Sequence, residues 1–81
     1  MNLERAAMKG KLAGLDQDET RLMMRMESGA KAIRQGLNTS LIEVWDMEIP
    51  QLDEQWDILK SSWGELIKVR ADIARLRKEL A

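Results

Sequence analysis

The strongest constraint on this chain is an apolar repeat that runs through its second half. Steps of three and four residues separate the side chains of Trp45, Ile49, Leu52, Trp56, Leu59, Trp63, Leu66, Val69, Ile73, Leu76 and Leu80. This spacing keeps them on one face of an α-helix with the repeat of a coiled coil. Two consecutive steps of three, from Trp63 to Val69, predict a local change of phase. The second half is therefore predicted to be one long amphipathic helix.

Pro50 bears on where this helix begins. A proline in a helix interior removes a hydrogen bond and costs about 3 kcal/mol. If Asp46 is the N-cap, Pro50 falls in the first turn, where its missing N–H costs little. The alternative is a helix that starts at Ser40, uses the capping box that Ser40 forms with Glu43, and kinks at Pro50. We expect the later start, with the helix over residues 47–80.

A second apolar repeat lies in the first half of the chain. Its members are Met8, Leu12, Leu15, Leu22, Met26 and Ile33. Glu19 and Gly29 occupy two further positions of the same repeat, which predicts a helix over residues 2–35. Asn2 is the predicted N-cap. The segment from Gly14 to Asp16 is an alternative stop, because a glycine there precedes a new capping residue.

The end of this first helix is predicted at Gly36-Leu37. A glycine followed by an apolar residue is typical of a Schellman ending, in which the glycine is left-handed. Residues 36–46 then form the connection to the second helix. Two helices of similar length around a short connection indicate an antiparallel hairpin. A turn centred on Leu41 would pair residues whose numbers sum to about 82, which sets Glu19 beside Trp63.

Composition supports an all-α fold with a single domain over residues 1–81. Phe, Tyr and Cys are absent, and helix-forming residues dominate. A lone two-helix hairpin buries only one line of contact, which is little for a chain with three tryptophans and six methionines. We therefore expect the coiled-coil-like hairpin to self-associate, as a homodimer that forms a four-helix bundle or as a longer coiled coil, or else to bind an unidentified protein partner. The expected interface residues are Trp45, Leu52, Trp56, Leu59, Trp63 and Leu66.

The basic residues near both chain ends suggest a second kind of partner. Candidates for contact with nucleic-acid phosphates are Lys9, Lys11, Arg70, Arg75, Arg77 and Lys78. Acidic residues are interleaved with them in the second helix, namely Glu65, Asp72 and Glu79. This interleaving favours ion pairs on the flanks of a coiled coil over a nucleic-acid site.

Catalysis, metals and membranes find no support in the sequence. His, Cys and Tyr are absent, so the usual bases and thiol nucleophiles are missing, and we expect no enzymatic activity and no cofactor. The segment from Asp16 to Glu27 superficially matches a calcium loop, but Arg21 stands where glycine is required. No apolar run reaches the roughly 18 residues of a membrane span. Without a secretory signal, the expected location is the cytoplasm.

Three segments resemble a family of small all-helical proteins encoded by Mu-like prophages. These segments are the opening from Leu3 to Leu15, the stop from Ala32 to Asn38, and the closing run from Leu66 to Leu80. The resemblance implies a bacterial, phage-derived gene without an assigned biochemical role, and it implies no functional residues. Together with the residues, it leads us to expect a non-enzymatic interaction or adaptor protein with an accessory or regulatory role. The alternative is a nucleic-acid-binding accessory protein that uses the basic end.

Overall fold

A computed structural model describes residues 3–81 as two long α-helices packed against each other. Helix α1 spans Leu3–Gly36 and helix α2 spans Ile49–Leu80. A short 3₁₀ helix, Val44–Asp46, lies in the connection between them. The rod measures 64 × 16 × 15 Å, and residues 3–81 contain no β-strand. The all-α hairpin is therefore confirmed, while the predicted cap at Asn2 lies outside the described residues.

Helix α1 is continuous, and the alternative stop between Gly14 and Asp16 does not occur. The helix ends at Gly36, but the predicted Schellman geometry is wrong, because no described glycine has a positive φ. Instead, the Leu37 N–H donates to the Ile33 carbonyl at 3.0 Å and continues the helical bonding. Gly36 serves a different purpose: a Cβ there would overlap with the Cδ2 of Leu52. The glycine therefore permits a close approach of the two helices.

Helix α2 begins with a different N-cap residue from the one predicted. Glu48 is the N-cap, without a side-chain cap bond, and Pro50 lies in the first turn. Asp46 is not the N-cap, since it ends the 3₁₀ helix and its N–H donates to the Glu43 carbonyl at 2.9 Å. The kinked helix from Ser40 does not form. The Ser40 N–H instead donates to the side-chain oxygen of Asn38 at 3.0 Å, which is turn chemistry.

The two helices contact each other through an unbroken coiled-coil repeat. In α1 the contact residues are those predicted, with Glu19 and Gly29 in the repeat and Gly36 added at its end. In α2 they are Leu52, Gln55, Leu59, Ser62, Leu66, Val69, Ile73, Leu76 and Leu80, all buried or half-buried. The α2 prediction was therefore partly wrong: the repeat passes through Gln55 and Ser62 instead of Trp56 and Trp63, and no change of phase occurs.

Close packing between the helices explains why the contact line of α2 passes through Gln55 and Ser62 and not through the tryptophans. A Cβ at Gly29 would lie 3.8 Å from the Leu59 Cβ, so the two backbones are near each other at this point. An indole between them would not fit, whereas the short side chain of Ser62 does. The tryptophans lie one residue beyond the contact line and remain half-exposed. The leucines of the predicted repeat belong to both lines, which is why the sequence alone did not separate them.

The register of the hairpin also differs from the prediction. A turn centred on Leu41 would place Asp53 opposite Gly29, but Leu59 lies there, six residues further along α2. Glu19 accordingly pairs with Arg70 and does not lie beside Trp63. In this register the small residues Gly29 and Gly36 face leucines. The packing of these pairs, and not the midpoint of the sequence, therefore determines which residues of the two helices face each other. No helix within residues 3–81 is long and apolar enough to cross a membrane.

Candidate interaction surface

The two long sides of the hairpin differ in chemistry. One side is formed by residues that come directly after contact positions in the sequence. We call it the tryptophan side and define it by Met23, Ile49, Trp56, Trp63 and Ile67. Contacts across the helices fix this side, since the Nη2 of Arg70 lies 3.8 Å from the Sδ of Met23. Residues that precede the contact positions form the opposite, polar side. Members of the polar side include Asp18, Arg25, Gln51, Ile58, Glu65 and Asp72.

An apolar groove lies at the centre of the tryptophan side. Its volume is about 350 Å³, and its lining is Met26, Trp56, Leu59, Lys60 and Trp63. Trp56 is 50% exposed and Trp63 is 56% exposed, so half of each indole faces solvent. Lys60 is the only charged residue of the lining, and its Nζ is held 3.1 Å from the Asp57 carboxylate. The groove therefore offers aromatic and aliphatic surface with almost no polar group to bind.

The tryptophan side becomes charged towards the chain ends. The Nε of Arg70 lies 3.2 Å from Glu19, and the Nη2 of Arg77 lies 3.3 Å from Asp16. Both ion pairs join α1 to α2 across this side. The apolar surface is thus confined to the part of the rod near the connection and the middle.

The contact line changes along the rod in the same way. We call residues 23–63 the connection half, and residues 3–22 with 64–80 the chain-end half. In the chain-end half the contact line is mostly apolar, with Leu22 at 0%, Leu66 at 5% and Leu76 at 4% exposure, and Glu19 is its one charged residue. In the connection half it includes Gln55 and Ser62, and the Ser62 Oγ is buried without a hydrogen-bond partner in the described structure.

The predicted interface residues are divided among three environments. Leu66 is buried inside the hairpin, and Leu52 and Leu59 are half-buried in its contact line. Trp45 lies on the connection and is 81% exposed. Only Trp56 and Trp63 lie on the tryptophan side. Met23 and Ile67 extend that surface and were not among the predicted residues, although an unbroken repeat through Gln55 and Ser62 would have indicated them.

The predicted nucleic-acid residues do not form one open basic surface. Arg70 and Arg77 are in the ion pairs described above, and the Nη2 of Arg75 lies 3.4 Å from Asp72. Lys9, Lys11 and Lys78 are exposed, and none of the three forms an ion pair within residues 3–81. Paired arginines have less charge available for phosphates. The nucleic-acid site stays a prediction.

A second cavity lies beneath the connection on the polar side. Its volume is about 380 Å³, and its lining is Ala32, Gln35, Gly36, Ile42, Asp46, Glu48, Gln51, Leu52 and Gln55. Amide and carboxylate groups surround an apolar floor there. Among residues 3–81, acidic side chains nowhere form a cluster that is arranged to hold a metal ion. The groove on the tryptophan side is therefore more apolar than this second cavity.

The hairpin exposes more surface than a compact monomer of its mass. Its accessible surface is 6400 Å². A compact monomer of 9.3 kDa exposes about 5000 Å². The excess of about 1400 Å² is larger than the roughly 800 Å² that each partner contributes to an ordinary protein interface. The elongated shape of the rod, 64 × 16 × 15 Å, accounts for this excess.

Comparison with known proteins finds no match to a family model, to a curated protein or to a solved structure. The resemblance to the prophage proteins stays a prediction.

Proposed function

We propose that this protein is a non-enzymatic interaction protein that self-associates through its tryptophan side. The main observation in support is the apolar groove with two half-exposed tryptophans, Trp56 and Trp63. In the proposed dimer, two hairpins pack side by side and their four helices form a bundle. The groove of each copy receives apolar side chains of the other.

The apolar pattern of α2 supports a bundle over an isolated hairpin. A helix in a two-stranded coiled coil needs one narrow apolar line, whereas a helix in a bundle has a wider face that includes one flanking position. Ile49, Trp56 and Trp63 occupy that flanking position at intervals of seven residues. Helix α2 thus carries apolar residues both towards α1 and towards an adjacent surface.

The energy available from this surface is substantial. Burying the exposed half of an indole removes about 100 Å² from water and contributes roughly 2–3 kcal/mol. A symmetric dimer buries four such halves, about 10 kcal/mol before the cost of association. This favourable contribution is about as large as the free-energy cost of association. Replacement of both tryptophans in each copy is therefore expected to abolish the dimer.

The cellular setting is part of the proposal. A chain without cysteine fits a reducing compartment, and the prophage resemblance implies a bacterial host, so we propose that the protein acts in the bacterial cytoplasm. We further propose an accessory or regulatory role, in which a dimer would present two copies of each charged end to other proteins.

The test compares the parent chain with a variant that carries Trp56→Ser and Trp63→Ser. Light scattering over a hundredfold dilution is expected to show a dimer that dissociates on dilution for the parent and a monomer for the variant. Met24→Ser is the matched control: Met24 is an exposed apolar residue of α1 that lies outside the tryptophan side, at 63% exposure. Circular dichroism checks that each chain remains helical.

Fluorescence adds an independent readout. In a Trp45→Phe background only Trp56 and Trp63 emit, and their emission is expected to shift to the blue as the concentration rises. A parent chain that stays monomeric at all concentrations, or a double variant that still dimerises, would overturn the proposal. If the parent chain stays monomeric, the tryptophan side would instead be a binding surface for a different protein.

A further inference from the structure

We infer that the second copy binds antiparallel and displaced along the rod, so that the connection halves overlap and the basic chain ends project at opposite ends. This inference rests on the proposed self-association and specifies its geometry. Two observations carry it independently: the position of the apolar surface determines the overlap, and the charge distribution determines the direction.

The apolar surface is not centred on the rod. It extends along α2 from Ile49 to Ile67, with Lys60 near its midpoint, and gives way to the Arg70–Glu19 and Arg77–Asp16 ion pairs beyond that. Burial of apolar area is the main favourable contribution to association. Two copies therefore bury the most apolar surface when the segments around Lys60 face each other. The chain ends of each copy then extend past the connection of the other.

Charge is strongly separated along the rod. Residues 28–59, around the connection, contain two basic and six acidic side chains. Residues 3–14 and 74–81, at the chain ends, contain six basic and two acidic ones. The middle, residues 15–27 with 60–73, is nearly neutral, with five basic and six acidic side chains. Each connection is thus acidic and each pair of chain ends is basic.

This separation selects the antiparallel direction. In a parallel dimer overlapping at the same segments, the two acidic connections would lie side by side and repel each other. In the antiparallel dimer, each acidic connection lies beside the nearly neutral middle of the other copy, close to Lys68 and Arg70. The antiparallel arrangement keeps the apolar overlap and removes the repulsion.

Complete overlap of the two rods is the remaining arrangement. It would set each acidic connection against the basic chain ends of the other copy. However, it would also place the groove against the Arg70–Glu19 pair, in which the side chains are 54% and 30% exposed and hence partly solvated. Exposed charges are screened by salt and contribute little compared with apolar burial. The displaced arrangement is therefore favoured.

Spin labels measure this geometry directly, since the chain has no cysteine of its own. A nitroxide on Lys78→Cys, in the full-length chain, reports the distance between the two chain ends by pulsed electron paramagnetic resonance. With the two-fold axis at Lys60 and a rise of 1.5 Å per residue, the labels are expected about 55 Å apart along the rod. Complete overlap gives about 40 Å, and a parallel dimer gives about 20 Å or less.

A second label on Gln51→Cys, an exposed residue of the polar side near the connection, confirms the displacement. The two labels are expected about 27 Å apart along the rod in the displaced dimer, and about 40 Å apart in complete overlap. A long distance at residue 78 with a short one at residue 51 supports the inference. Near-equal distances at both positions would overturn it while leaving the dimer intact. Absence of a distance together with monomeric light scattering would instead mean that the proposed self-association itself had failed.

Discussion

The two halves of this hairpin share one repeat but differ in what occupies it. In the chain-end half, leucine and isoleucine from α2 meet leucine from α1, and Leu66, Ile73 and Leu76 are each at most 5% exposed. In the connection half, the repeat contains Gly29 and the buried, unpaired hydroxyl of Ser62. The larger apolar side chains of this half, Trp56 and Trp63, lie outside the repeat.

This difference indicates how the stability of the chain is distributed. In the chain-end half, the contact line is fully buried within one copy at Leu66, Ile73 and Leu76, while Ile67 beside it stays half-exposed. In the connection half, the fully buried contact residues are Gly29 and Ser62, and the tryptophans lie outside the contact line. The packing of this half is completed only if another surface covers the tryptophan side. Local stability is therefore expected to be higher at the chain ends than at the connection.

The largest expected effect compares leucines of the two halves. At a concentration where the chain is monomeric, Leu76→Ala is expected to lower the free energy of unfolding by about 2–5 kcal/mol, as for a fully buried leucine. Leu59→Ala is expected to cost about half of that, because Leu59 is only half-buried in one copy. Urea unfolding of both variants measures the difference. Equal losses would show that the two halves are packed alike.

A smaller effect of opposite sign is expected at Ser62. Its Oγ is buried without a partner, which costs free energy that the folded chain does not recover. Ser62→Ala is therefore expected to raise the free energy of unfolding by about 1 kcal/mol. Ser61→Ala is the control one residue away, where the exposed Oγ donates to the Ile58 carbonyl at 3.1 Å. If Ser62→Ala destabilises the chain, the Ser62 hydroxyl has a hydrogen-bond partner and the comparison of the two halves fails at this position.

Replacement of glycines by alanine is expected to change the free energy of unfolding by about 1 kcal/mol, by different amounts at different positions. Gly29→Ala is expected to stabilise the connection half, because a Cβ there would lie 3.8 Å from the Leu59 Cβ, in ordinary contact, and alanine favours the helix. Gly14→Ala, with nothing within 4 Å, is expected to gain only the helix preference of about 0.5–1 kcal/mol. At Gly36 the overlap with Leu52 is expected to cancel that gain. Thermal unfolding of the three variants ranks them, and a gain at Gly36 equal to that at Gly14 would argue against close packing there.

The smallest effect is expected at the ion pairs that border the apolar surface. The Arg77–Asp16 pair is exposed, so Arg77→Gln is expected to lower the free energy of unfolding by less than about 1 kcal/mol, and less at high salt. Lys68→Gln, an exposed lysine of α2 outside these pairs, is the control. A loss of several kcal/mol in Arg77→Gln alone would mean that the chain-end half depends on charge more than on its buried leucines.

The sequence predicts the hairpin and the α1 contact line from Met8 to Ile33, since the three-four spacing continues through Glu19 and Gly29. It does not predict the α2 contact line, because Leu52, Leu59 and Leu66 are compatible both with the line through Gln55 and Ser62 and with the line through the tryptophans. Hydrophobicity favours the second line, but the space between the helices at Gly29 and Gly36 selects the first. The register was missed for the same reason, since it depends on which side chains fit against the glycines.

Hydrogen exchange of individual amides tests the central claim most directly. At a low concentration, where the chain is monomeric, amides of the connection half are expected to exchange faster than those from Leu66 to Leu76. As the concentration rises and the tryptophan side becomes covered, the difference between the two halves is expected to narrow. Equal protection of both halves in the dilute chain, or a difference that persists unchanged at high concentration, would contradict the account.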